Sequence, residues 1–272
     1  AILDRIVPGG RLIGIDRDPE AIARCRERFS GQPVTCLQGT FGELDALLDA
    51  EGIPEADGFL FDLGLSSDQL EDPTRGFSFR REGPLDMRFD PDSPVTAAQL
   101  VRRLPEAELA RIFREGGEER WANRIARVIT ASRQKSPITT TAQLQQIIAA
   151  SLPAAARAAK IDPATRAFQA LRIAVNDEAA ALTPGFEAAI ARTRTGGHIV
   201  VLSYHSNEDG VTKGTFRRYA RKCQCPPLLP TCQCAGRPIL KLLTRKPLSP
   251  SPEEVASNPR SRSAKLRAAE KL

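Results

Sequence analysis

The run Arg11-Leu12-Ile13-Gly14-Ile15-Asp16-Arg17-Asp18-Pro19 reads as a short apolar strand that stops on a carboxylate and hands over to a helix. Pro19 suits the first helical position, where its missing N–H costs nothing. Ala21, Ile22, Cys25 and Phe29 then mark one helical stripe that ends at Gly31. Upstream, Val7-Pro8-Gly9-Gly10 is a turn. Downstream the rhythm repeats: Val34-Thr35-Cys36-Leu37 as a strand, a helix marked by Leu44, Leu47 and Leu48, and a third strand, Gly58-Phe59-Leu60-Phe61-Asp62, again closing on an aspartate. Strands alternating with helices predict an α/β protein with a parallel sheet and crossover helices.

The rhythm then breaks. Leu63 to Ser93 is rich in Gly, Pro, Asp and Arg, with Arg75, Phe77, Phe79, Arg80, Arg81, Met87, Arg88 and Phe89 interleaved, and reads as a substrate loop. From Thr96 to about Val175 the period is helical: Trp121, Ile125, Val128 and Ile129 share a face, as do Leu144, Ile147 and Ile148, and Phe168, Leu171 and Val175. These stripes are core packing rather than a cofactor box. Gly197 to Ser203 returns to a buried strand. The domains expected are a sheet domain of residues 1–95 and 176–272 and an all-helical insertion of 96–175. Residues after Pro247, rich in Ser, Pro and Arg, are expected to be poorly ordered without a partner.

With 272 residues, 41% apolar and 26% charged, the chain can bury a core without disulfides or metal. That excludes a disordered chain and a disulfide-stapled miniprotein, and no apolar run approaches bilayer length. The net charge is +6, and Val211 to Leu272 holds 14 Lys and Arg against 3 Asp and Glu. A basic tail fits a polyanionic partner, nucleic acid first, and equally a solvated tail that aids solubility. Six cysteines without a secretory leader read as thiols in a reducing cytoplasm. Ala1 to Val7 begins inside an amphipathic segment, so a further segment is expected upstream.

Asp16 sits where ligands bind in doubly wound sheets, beyond the carboxyl end of a strand, and an acidic residue there can hold ribose hydroxyls. Asp18 fits the cap of the following helix. Asp62 repeats the logic and precedes Leu63-Gly64-Leu65-Ser66-Ser67. The oxygens of Asp62, Ser66 and Ser67 can hold an amino group; the alternative is a turn built from ordinary turn formers. Ser203-Tyr204-His205-Ser206-Asn207-Glu208-Asp209 places one of two histidines beside two carboxylates. No G-x-S-x-G elbow accompanies it, so a polar substrate-facing loop is favoured over a hydrolase. Cys223, Cys225, Cys232 and Cys234 form two C-x-C pairs, tighter than common zinc spacing; structural zinc and free thiols both stay open, and no metal is assigned. Lys213, Arg217, Arg218, Arg221 and Lys222 interleave with Phe216 and Tyr219, either for RNA phosphates and bases or as an amphipathic helix with a cationic face. The stretch Arg260 to Arg267 suits phosphate contact.

Taken in order, several runs resemble the bacterial 16S ribosomal RNA cytosine-N4 methyltransferases of the small-subunit methyltransferase H (MraW) type. They are Gly14-Ile15-Asp16-Arg17-Asp18-Pro19, Phe61-Asp62-Leu63-Gly64-Leu65-Ser66-Ser67 with Gln69-Leu70, Arg75-Gly76-Phe77-Ser78-Phe79, Gly83-Pro84-Leu85-Asp86-Met87-Arg88, Ala170-Leu171-Arg172-Ile173-Ala174-Val175-Asn176, His205-Ser206 with Glu208-Asp209, Thr244-Arg245-Lys246-Pro247, and Asn258 to Arg267. The resemblance implies a Rossmann-like S-adenosylmethionine-dependent methyltransferase sheet with an inserted helical subdomain. Its implied substrate is a decoding-region (P-site) cytosine of 16S rRNA in the small ribosomal subunit, methylated on N4 in the cytoplasm. It implies that Asp16 holds the cofactor ribose, Phe41 packs on the adenine, and Asp62 and Gln69 complete the pocket. Asp62, Ser66 and Ser67 would hold the target amine, with Ser203 and His205 at the rim. The family's glycine-rich cofactor loop would lie upstream of Ala1. Its Phe-His-Ser-Leu-Glu-Asp-Arg stands here as Tyr204-His205-Ser206-Asn207-Glu208-Asp209-Gly210.

The competing reading is a non-catalytic RNA-binding or ribosome-assembly protein on the same scaffold. A nicotinamide oxidoreductase lacks G-x-G-x-x-G here, and a DNA amino-methyltransferase lacks its Pro-Pro-aromatic motif after the third strand. The oligomeric state, monomer or homodimer, is left open.

Overall fold

The structure, a computed structural model, describes residues 1–117, 119–153, 162, 164–223, 225, 233 and 236–272. Two compact units divide the chain, one of residues 1–64 and 179–272, the other of 65–178.

In the first unit a single turn of helix, Leu3–Ile6 (α1), precedes Leu12–Asp16 (β1), which pairs in parallel with Val34–Gln38 (β2). The helix between them, Pro19–Arg28 (α2), starts as the sequence predicts. Pro19 opens it, and Asp18 Oδ1 accepts from the Glu20 N–H at 2.9 Å, satisfying a donor that the helix itself leaves unpaired. Leu44–Ala50 (α3) follows, then Ala56–Asp62 (β3). β3 pairs in parallel with Thr193–Ser203 (β4) and sets Asp62 opposite Leu202.

The strands do not form one sheet. β1 and β2 stand apart from a four-stranded sheet ordered β3-β4-β6-β5, in which Leu240–Leu242 (β5) and Lys265–Lys271 (β6) run antiparallel. Among the described residues no strand pairs with the second edge of β1 or of β3. Phe61, Leu63, Phe186, Ile199, Val201 and Phe216 form the buried centre of this unit together with Leu44 and Leu48 of α3. Phe186 belongs to Glu178–Arg192 (α10) and Phe216 to Ser206–Tyr219 (α11).

The tail after Pro247 is ordered, contrary to the sequence expectation. Pro252–Ser257 forms a helix (α12), Leu248 and Leu266 exchange two backbone hydrogen bonds at 3.0 and 2.9 Å, and β6 pairs with β4 from Lys265 to Glu270. Composition pointed to disorder because the stretch is rich in Ser, Pro and Arg; β6 is ordered because both of its edges are paired, with β4 on one side and β5 on the other. The expectation of reduced thiols fails for one pair: Cys25 on α2 and Cys36 on β2 form a disulfide, with an S–S distance of 1.99 Å and Cα atoms 6.3 Å apart.

The second unit holds Ser67–Glu71 (α4), Ala97–Arg103 (α5), Glu106–Gly117 (α6), Ala122–Arg133 (α7), Thr141–Ser151 (α8) and Ala164–Asn176 (α9). Ile125, Ile129, Leu144, Ile148 and Leu171 are fully buried, so the helical stripes are core as the spacing predicts. The unit starts at Leu65, not at Thr96, because the stretch read as a substrate loop packs inside it. Phe77, Leu85, Met87 and Phe89 join its core. Arg75 and Arg88 spend their guanidinium groups on backbone oxygens and on Asp86, replacing the hydrogen bonds that regular structure would supply. Gly83 is needed there: a Cβ on it would lie 1.8 Å from the Pro73 carbonyl oxygen.

Candidate active site

Two carboxylates stand at the carboxyl ends of parallel strands, Asp16 on β1 and Asp62 on β3. Asp16 Oδ1 accepts from the Asp18 N–H at 2.8 Å, which fixes the carboxylate at the start of α2. Although its side chain reaches solvent, the protein packed around it raises the Asp16 pKa above the ordinary aspartate value. The Asp18 N–H opposes that rise, and the Asp18 charge adds to it.

Phe41 follows β2 on a single tight turn, closed by the Thr40 N–H donating to Glu43 Oε2 at 2.8 Å. Its ring meets Phe61 edge-on with centroids 6.2 Å apart, and remains partly exposed. Gly185 of α10 permits this placement, since a Cβ there would come within 2.7 Å of the Phe41 carbonyl oxygen.

Asp62 is exposed, and its Oδ1 accepts from the Tyr204 hydroxyl at 2.9 Å. Tyr204 directly follows β4, the neighbour of β3, so the ladder brings the two side chains to the same end of the sheet. Burial comes first among the causes that push the Tyr204 pKa up to about 12; the bond to Asp62 and the charges of Asp62, Glu208 and Glu254 act in the same direction. No role for Tyr204 follows from its residue type alone. The signal for it was positional: the first residue past a strand that pairs in register with the one ending at Asp62.

His205 is the N-cap of α11. Its Nδ1 accepts from the Glu208 N–H at 3.4 Å, while Glu208 Oε2 accepts from the Tyr204 N–H at 2.8 Å and the His205 N–H at 3.4 Å. With Nδ1 accepting, the ring proton belongs on Nε2. Nε2 lies 2.9 Å from Glu208 Oε1 but off the line of a hydrogen bond, and it is buried. The run His205-Ser206-Asn207-Glu208 is therefore a capping box with histidine in the serine place, a spacing that the sequence displays openly. Ser203 is buried at the end of β4.

Asp209 pairs with Arg267 of β6: Nε to Oδ1 is 2.7 Å and Nη2 to Oδ2 is 3.2 Å, with Lys265 Nζ 3.3 Å from Oδ2. Burial works to raise the Asp209 pKa, but the Arg267 bond, with the charges of Arg267 and Lys265, outweighs it and holds the carboxyl below its usual range. Arg267, buried against this internal carboxylate, is not placed for a phosphate; Lys265 reaches the same carboxylate but stays partly exposed, and Arg260 and Arg262 are exposed.

Ser66, Ser67 and Gln69 belong to the second unit, at the start of α4. Ser66 Oγ accepts from the Gln69 N–H at 3.1 Å and Gln69 Oε1 from the Ser66 N–H at 2.9 Å, a second capping box; Ser67 is exposed. On α11, Phe216 is core and Tyr219 packs against it, so neither is a free stacking platform. Lys213, Arg217 and Arg218 of α11, and Arg221 and Lys222 just after it, are exposed, with Arg218 paired to Glu187. Cys232 and Cys234 lie outside the described residues. Cys225 Sγ accepts from the Gln233 N–H at 3.2 Å, and among the described residues no three His, Cys, Asp or Glu side chains are grouped as a metal ion requires. Nor is any described helix long and apolar enough to cross a membrane.

The family model described as "MraW methylase family" matches residues 1–272. A protein of Pelobacter propionicus named "Ribosomal RNA small subunit methyltransferase H" is 52% identical over 274 residues, covering 100% of this chain and 88% of its own length. Proteins of the same name from Geobacter sulfurreducens and Thermomicrobium roseum are 52% and 51% identical, again over 100% of this chain and over 88% and 83% of theirs.

Proposed function

Because the chain belongs to the MraW methylase family and is thus a methyltransferase, we propose that it methylates the exocyclic N4 of a decoding-region cytosine in 16S rRNA, using S-adenosylmethionine, in the cytoplasm. The observation that carries the chemistry is Asp62: an exposed carboxylate at a strand end, with one oxygen held by Tyr204. Support for the RNA comes from the name of the relatives and from the exposed cations on α11 and just after it.

The residues present fit the cofactor. Asp16 reaches solvent with one oxygen anchored, as a ribose acceptor must, and Phe41 offers a ring edge-packed on Phe61 for the adenine. When bound, S-adenosylmethionine supplies an electrophilic methyl on a sulfonium. The chain's own part concerns the amine. The N4 lone pair is delocalised into the cytosine ring and is a weak nucleophile. A carboxylate accepting its N–H favours a pyramidal nitrogen whose lone pair is available, and Asp62 Oδ2 is the acceptor that takes up the proton. Holding that nitrogen in line supplies much of the remaining rate.

The test is transfer of labelled methyl groups to small ribosomal subunits that lack the modification, with nucleosides identified by mass spectrometry. N4-methylcytidine is the expected product. RNA binding without any transfer would instead favour the non-catalytic assembly protein.

Asp16 gives a separate expectation. Replacing it with alanine removes the charged acceptor for ribose, and cofactor affinity by calorimetry should fall about thirtyfold, the worth of one or two such bonds. In the parent protein the affinity should decline as pH falls through the Asp16 pKa, because the protonated acid is the poorer acceptor. Its pKa is raised, so the decline begins at a higher pH than for an ordinary aspartate. An affinity unmoved by both changes removes Asp16 from the pocket.

A further inference from the structure

We infer that Tyr204 is a positioning residue for methyl transfer: its hydroxyl occupies Oδ1 of Asp62, so that the carboxylate presents Oδ2 alone to the target amine. The inference rests on the role proposed for Asp62 and extends it to a residue with no assigned part.

Tyr204 is held at both ends. Its backbone N–H donates to Glu208 Oε2 at 2.8 Å, and its phenol donates to Asp62 Oδ1 at 2.9 Å. Glu208 is itself only 3% exposed and locked into the capping box with His205. The start of α11 is thereby tied through one rigid aromatic side chain to the end of β3. A carboxylate on an exposed strand end otherwise rotates about χ2, since that torsion is broad and weakly restrained. The phenol removes this freedom. Among the described residues no hydrogen bond reaches Asp62 Oδ2, so the second oxygen stays available to a ligand.

The direction of the proton matters as much as the geometry. The groups acting on Tyr204 are acidic on every side: Asp62 from β3, Glu208 from α11 and Glu254 from α12. Tyr204 therefore stays a donor throughout the working range and does not take the proton from the amine.

Tyr204→Phe removes one oxygen and keeps the ring. Its kcat should fall about tenfold, the worth of one charge-assisted bond, with the RNA KM within about twofold. A purely structural role for the hydroxyl would lower thermal stability without separating kcat from KM in this way. The second arm repeats Tyr204→Phe in an Asp62→Asn background, where no further loss is expected because the hydroxyl acts through the carboxylate. Full loss in both backgrounds overturns the inference, as does a kcat unchanged in Tyr204→Phe while Asp62→Asn is impaired. If Asp62→Asn alone keeps parental turnover, the role proposed for Asp62 is the one that fails, and this inference falls with it.

Discussion

Asp62→Asn is expected to lower kcat by about a hundredfold or more, the usual scale for losing a group that takes a proton in the transition state. The amide keeps the size of the carboxylate, so the fold should be undisturbed: Asp62 is exposed and, among the described residues, its one side-chain hydrogen bond is to Tyr204. That bond makes the substitution more severe than its volume suggests. The amide has a single acceptor oxygen, which the Tyr204 hydroxyl claims. The NH2 is then turned toward the substrate amine, donor against donor. Cofactor and RNA affinities should stay within about twofold of the parent, since the loss is felt when the proton leaves. The check is single-turnover methyl transfer beside equilibrium binding of both ligands. Normal binding with parental turnover would mean that another group holds the amine.

The second large effect is on stability. In Arg267→Met the Asp209 carboxylate, only 13% exposed, loses the guanidinium that is itself 9% exposed, and Lys265 at 3.3 Å remains as a weaker partner. Breaking a buried pair by removing one member costs about 3–5 kcal/mol, so denaturant unfolding should show a loss of roughly 3 kcal/mol with some relief from Lys265. Removing both charges, as in Asp209→Leu with Arg267→Met, should restore most of it, because no lone buried charge is left. The pH dependence follows from the depressed Asp209 pKa. The stabilisation is present above the pKa of an unfolded aspartate and is lost as pH falls through the lower folded value. Acid unfolding of the double variant should therefore be shallower below about pH 4, near the ordinary aspartate pKa. Equal losses in the single and double variants would show that the pair does not act as a unit.

Between these two residues lies the division of labour in the Glu208-Asp209 dipeptide. Each carboxylate has a structural partner: one closes a capping box and the other anchors β6. The resemblance placed this run near the site, and the structure gives its acidic half a local and a tertiary structural task. Asp62 and Tyr204 are the exposed members of the network.

Much of this was legible in the residues themselves. Strand, carboxylate and capped helix over Leu12 to Arg28 follow from local rules: a short apolar run, a proline at the first helical turn, an aspartate whose oxygen accepts from the N–H two residues on. The same locality made the stripes at Ile125, Leu144 and Leu171 readable as core, since a helix of fixed period shows its buried face in sequence. The positions of Asp16 and Asp62 at strand ends came from the same arithmetic. Other features depend on partners far away in the chain, and no window of sequence contains them. The segment from Leu63 to Ser93 looked like a loop because its backbone is satisfied by arginine side chains and by scattered distant backbone groups such as Thr139 and Thr141, not by a ladder. β6 looked like a disordered tail because its pairing partner, β4, lies more than sixty residues earlier. Cys25 and Cys36 became a bonded pair through the packing of α2 on β2. Tyr204 acquired its contact with Asp62 through the register of two strands 142 positions apart. Periodicity and capping are written in neighbouring residues. Which side chains finally meet is decided by the pairing of distant strands, where one residue of register changes every contact.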